Sequence, residues 1–90
     1  MVKQAIKGFL YILKNEITNR YYVGSTNNIN RRLAEHLRGK IRTTKVLGTY
    51  TLVYQEVFET IEEARAREKK LKSYKSKKYI DWLVSKYLRV

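Results

Sequence analysis

Ninety residues with twenty Lys and Arg against eight Asp and Glu, a net charge of +12, allow one small domain whose expected partners are polyanions. Hydrophobic residues at 43% are enough for a globular core and exclude wholesale disorder. The lack of cysteine excludes disulfides and thiolate metal sites and fits a reducing cytoplasm, and no apolar run nears the roughly 20 residues of a spanning helix.

The stretch Met1–Leu13 has no small-residue cleavage site and its apolar part reads as a strand, so neither signal nor anchor is expected. Phe9–Leu13 and Tyr21–Val23 are short, aromatic and branched, as strands are. The polar connector Lys14–Arg20 suits an antiparallel hairpin. Alternation places Tyr11 with Leu13 on one face and Tyr22 with Gly24 on one face, leaving room beside a bare glycine for something to approach the sheet. Ser25 to Asn28 offer N-caps for a helix over residues 28–38, whose apolar stripe is Ile29, Leu33 and Leu37. Arg32 and His36, four apart, stack on one edge of that stripe. Alone they would read as a surface charge and a boundary residue. A helix starting just after Gly24, however, brings them over the tyrosines.

Arg38 to Tyr50 carries two glycines and four basic residues without an acid, a connection suited to phosphate contacts. Thr51–Phe58 alternates as a third strand, with Leu52, Tyr54 and Phe58 on one face and Val53, Gln55 and Val57 on the other. Thr60 and Glu63 form a capping box for a helix whose core stripe runs Ile61, Ala64, Glu68, Leu71. A carboxylate on that apolar face should have a cation, a hydrogen-bond donor or a metal waiting for it. Either a structural pair with Arg32 or a lysine, or a metal or catalytic role, would satisfy it. Six lysines between Lys69 and Lys78, with no acid among them, form a second basic strip. Ser76 caps a last helix with Ile80, Leu83, Val84 and Tyr87 as its apolar face, and Tyr79 and Trp82 are placed to cover a sheet edge. A membrane is not an expected partner, because the helices need their apolar faces for so small a core.

Phe9-Leu10-Tyr11, ten intervening residues, Tyr22-Val23-Gly24, then Arg32 and His36 together resemble the GIY-YIG nuclease domain. The resemblance continues through Thr43-Thr44-Lys45, Leu52-Val53-Tyr54 and Ala64–Glu68, and is closest to small stand-alone bacterial members. It implies a single domain over residues 1–90 with an α/β fold, a small three-stranded antiparallel or mixed sheet flanked by helices. It further implies that Glu68 holds Mg2+ or Mn2+, that Arg32 stabilises the phosphorane charge, and that Tyr11 and Tyr22 position and help deprotonate the attacking water. His36 matches the histidine of homing-endonuclease-like members. Where many members have an asparagine twelve to fifteen residues after the metal glutamate, this chain has Ile80 to Leu83. DNA contacts are expected from Gly24, Arg31, Arg38, Lys40, Arg42, Lys45, Lys69, Lys72, Lys75, Lys77 and Lys78. The expected activity is a metal-dependent DNA endonuclease or nickase with weak sequence preference, with branched and single-stranded DNA left open as substrates. The alternative is a non-catalytic basic nucleic-acid-binding module on the same fold. A DNA-repair setting, a cytoplasmic, nucleoid-associated location and a monomer or weak dimer complete these expectations.

Overall fold

The computed structural model describes residues 7–37 and 50–88; the expected basic connection with Arg38, Lys40, Arg42, Thr43, Thr44 and Lys45 lies outside the described residues. Strands β1 (Gly8–Asn15), β2 (Tyr21–Thr26) and β3 (Tyr50–Phe58) form one sheet in the order β2-β1-β3, antiparallel throughout. Helices α1 (Ile29–Leu37), α2 (Ile61–Ser73) and α3 (Lys77–Leu88) complete an α/β fold, so the mixed sheet is set aside. The most apolar strand is the central one, where both faces are covered.

The hairpin turns on Asn15, whose side chain is fully buried. Its Oδ1 accepts the backbone N–H groups of Ile17 at 2.8 Å and Thr18 at 3.0 Å, a local bond that bends the chain where a strand would otherwise run on. Asn19 then takes the left-handed conformation at φ 62°, which asparagine tolerates better than most residues. Asn15→Ala strands both N–H groups, and we expect it to cost about 2 kcal/mol. That is a fall in melting temperature of roughly 10 °C, measurable by circular dichroism.

One sheet face builds the core. Leu10 and Ile12 of β1 and Tyr54 of β3 pack against Leu71 of α2 and Ile80, Leu83 and Val84 of α3. The start of α2 passes directly over Gly8, where a Cβ would stand 2.7 Å from the Ile61 Cα and 2.9 Å from the Ala64 Cβ. The capping box is formed as expected: Thr60 accepts the Glu63 N–H at 3.2 Å and Glu63 returns to the Thr60 N–H at 3.1 Å. Ser76 caps α3 by accepting the Tyr79 N–H at 3.1 Å.

Two expectations about facing change. The ladder between β1 and β3 shifts between Ile12 and Leu13, which oppose Tyr54 and Leu52. This bulge moves Leu52 off the face of Tyr54 and Phe58, and Val53 packs against the core instead. Trp82, expected to cover a sheet edge, is 54% exposed.

Candidate active site

The second sheet face carries the tyrosines. Tyr11 opposes Gly24 and Leu13 opposes Tyr22 across the β1–β2 ladder, so Tyr11, Tyr22 and Gly24 share that face. The Tyr11 and Tyr22 rings stack with centroids 6.3 Å apart. The room expected over Gly24 is filled from within. A Cβ there would lie 2.5 Å from the Tyr11 Cζ, so Gly24 lets the tyrosine ring lie across β2 toward its free edge.

Asn28 caps α1 by accepting the Arg31 N–H at 3.0 Å, and the helix then delivers Arg32 and His36 to the tyrosines. The His36 ring meets Tyr22 edge-on at 4.8 Å and Tyr11 at 5.7 Å. Its Nε2 is 3.0 Å from the Tyr11 hydroxyl, a buried hydrogen bond. Burial pushes the Tyr11 phenol well above its ordinary value, with Tyr22 adding to the rise and Arg32 opposing it. Burial lowers His36 below the ordinary histidine value, and the neighbouring Arg32 charge lowers it further. At neutral pH the pair is therefore a phenol against a neutral imidazole. Arg32 pairs with Glu35 at 3.3 Å and leaves its buried Nε–H without a partner. The side chain is nevertheless 34% exposed, and the exposed part of the guanidinium is what an anion would meet.

Glu68 reaches β2 from the other side. Ser25 opposes Leu10, so it faces the core side, and its hydroxyl donates to Glu68 Oε1. Lys72, one turn on, donates to Oε2 at 2.6 Å. The carboxylate thus has the kind of partners expected of it, a hydrogen-bond donor and a cation, and of the two cations considered, Arg32 or a lysine, it is a lysine, Lys72. Lys72 is 55% exposed, so the pair contributes only about 0.3–0.5 kcal/mol. The tyrosine cluster and the carboxylate meet across the open edge strand, and Glu68 contributes to the electrostatic environment of Tyr11.

Among the described residues, no three acidic, histidine or cysteine groups gather into a metal-holding cluster. A lone carboxylate of this kind does not fit a zinc site, which takes three or four protein ligands. It does fit a hard divalent ion that keeps several waters and binds one carboxylate plus substrate phosphate. The Lys72 ammonium on Oε2 already shows that the carboxylate accepts a cation there.

Arg31, Lys69, Lys72, Lys75, Lys77 and Lys78 are all exposed. Not all are free. Arg31 donates to Asn27 at 3.0 Å, and Lys77 pairs with Asp81 at 3.4 Å while standing 5.2 Å above the Tyr21 ring. A groove of about 330 Å³ runs between β2 and the α2–α3 turn, with Arg20, Lys72, Lys75 and Lys77 on its walls. Arg20 and Ser25 join the site from outside the expected set, Arg20 from the hairpin connector and Ser25 from among the N-cap candidates. Their only signal was a basic residue entering the edge strand and a hydroxyl directly after Gly24.

The chain matches the family described as the GIY-YIG catalytic domain over residues 7–80. A UPF0213 protein of Staphylococcus haemolyticus is 39% identical over 69 residues, which cover 76% of this chain and 83% of the relative. A UPF0213 protein of Staphylococcus aureus strain Mu3 is 39% identical over 71 residues, covering 78% and 85%. No solved structure matches. No helix among the described residues is long and apolar enough to cross a membrane. With five motif segments in order, the antiparallel three-stranded sheet and this match in hand, the chain belongs to the GIY-YIG family of nuclease domains, a kind of domain that acts on DNA and in general works with a divalent metal ion.

Proposed function

We propose that the protein is a metal-dependent DNA endonuclease or nickase, and that Tyr11, Tyr22, Arg32, His36 and Glu68 carry its chemistry. The observation that carries this is the Tyr11–His36 hydrogen bond, 3.0 Å long and buried, beside an arginine with an unspent donor. A structural core has no need of that combination.

Hydrolysis of a phosphodiester requires a proton to leave water as its oxygen attacks phosphorus. With Tyr11 held protonated, a standing phenolate is not the base. The Tyr11 oxygen instead takes the water proton while its own passes to His36 Nε2, in the tautomer that carries its proton on Nδ1. Tyr22, stacked on Tyr11 and edge-on to His36, fixes both rings. Arg32 donates to the phosphoryl oxygens as their charge grows. Glu68, oriented by Ser25, would hold Mg2+ or Mn2+, and the bound ion would supply charge for the phosphate and the leaving oxygen. The P–O bond to the departing strand end breaks, and that oxygen takes a proton from solvent. The basic groove beside β2, with Lys72, Lys75 and Lys77, guides the DNA backbone.

Incubating supercoiled DNA with the protein in Mg2+, in Mn2+ and in EDTA tests the assignment. Nicked circles should form with metal alone. Tight DNA binding without cleavage under all three conditions would leave the non-catalytic basic module in its place.

A pH profile follows. The relay needs neutral His36, and a lowered His36 value keeps it neutral further into acid. The nicking rate should therefore fall only with a midpoint below about 6.5, and Tyr11 should add no alkaline limb below about 10. His36→Gln should lose the acid limb together with roughly a hundredfold of rate.

A further inference from the structure

On the flank of α2 opposite Glu68 lies a second groove, of about 430 Å³, that plays no part in the chemistry above. Its floor is a spent polar network. Arg67 grips Glu56 with two bonds, at 3.0 and 3.1 Å, and the Tyr54 hydroxyl donates to the same carboxylate. Glu56, the one acid on the groove wall among the described residues, is thereby neutralised. The rim is aromatic. Tyr79 and Trp82 line it with ring centroids 5.7 Å apart, and Tyr74 meets Tyr79 edge-on at 4.7 Å. Trp82 is more than half exposed, which is unusual for the most apolar aromatic surface in so small a domain. Lys78, Trp82 and Lys86 follow at spacings of four along α3, and Lys86 stands 5.0 Å above the Trp82 ring.

We infer that this groove is a stacking site for unpaired nucleotides of a nucleic acid strand. The inference rests on the DNA-acting function proposed above and adds to it a place where bases, rather than phosphates, are held. An exposed indole with the Lys86 ammonium over one of its faces, and Lys78 one turn earlier on the helix, matches a single strand, whose bases present π faces and whose phosphates follow at short intervals. A duplex hides its base faces in the stack and would meet only the lysines. Charge decides against a second copy of this chain as occupant, since each copy carries +12 and the one acid in the groove is already paired.

The test uses the single tryptophan of the chain as its own reporter. In EDTA, a twelve-residue oligothymidine and a blunt twelve-base-pair duplex are titrated into wild type and Trp82→Ala. Trp82 emission and the anisotropy of labelled DNA are both followed. Oligothymidine should quench Trp82. Trp82→Ala should bind it roughly ten- to fiftyfold more weakly, while duplex affinity changes less than about twofold and Trp82→Phe keeps most of the single-strand affinity. Trp82 is exposed and lies outside the buried core, so the variants should fold. Single-strand binding that leaves Trp82 emission unchanged, or equal losses for both DNAs, overturns the stacking site alone. Emission that shifts with protein concentration in the absence of DNA overturns it in favour of self-association. No binding of either DNA by anisotropy overturns the DNA-acting function itself.

Discussion

Glu68→Gln should eliminate metal-dependent nicking, by at least about a thousandfold, while the protein melts within about 4 °C of wild type. The two halves of this expectation come from the same carboxylate. Ser25 can still donate to a glutamine oxygen, and the volume of the side chain does not change. What is lost is the Lys72 pair, whose half-exposed lysine limits its value to about 0.3–0.5 kcal/mol. At roughly 4–8 °C per kcal/mol for a domain of this size, the melting shift is small. A hard divalent ion, by contrast, needs the full anionic charge, because among the described residues no cluster of acids stands by to replace it. A variant that melts more than about 10 °C below wild type would make Glu68 a structural anchor. A variant that still nicks in Mn2+ would end its assignment as a metal ligand. Melting curves without metal and a nicking assay with Mn2+ read both outcomes from one preparation.

The elements that the sequence made legible are those built from local signals. The capping box at Thr60 and Glu63, the Ser76 cap and the asparagine-rich hairpin each depend on residues within a few positions of one another. The face shared by Tyr11, Tyr22 and Gly24 was equally legible, since strand alternation fixes it once the hairpin is placed. The β3 bulge was not, because period-two alternation cannot show which residue drops out of the ladder until the partner strand is present. The absence of a side chain at Gly24 signalled space but not its occupant, the ring of Tyr11. The Glu68 partners divide in the same way. Lys72 sits at i+4 on the same helix, whereas Ser25 is 43 residues away and is brought in only by the packing of α2 across β2. The clamp of Arg67 on Glu56 is likewise tertiary, and nothing in the two segments announced it.

Arg32→Ala should abolish nicking while weakening DNA binding by less than about tenfold. Ground-state affinity is spread over twenty basic residues, so one of them contributes little to it. A donor aimed at charge that grows only in the transition state is worth roughly 3–4 kcal/mol, a loss of two to three orders of magnitude in rate. The partner left behind, Glu35, is partly exposed and can be hydrated, so folding should be nearly unaffected. Arg32→Lys separates charge from geometry: it should restore DNA affinity but only a fraction of turnover, because an ammonium lacks the planar fork. The same substitutions have a readout that needs no activity. Arg32 lowers His36, so removing its charge must raise the imidazole toward its ordinary value, whereas lysine should hold it down in part. His36 is the only histidine in the chain, and its titration can be followed as a single imidazole signal by NMR. An unchanged His36 titration in Arg32→Ala would separate the guanidinium from the tyrosine–histidine pair. Equal losses in binding and turnover would reduce Arg32 to one more phosphate anchor.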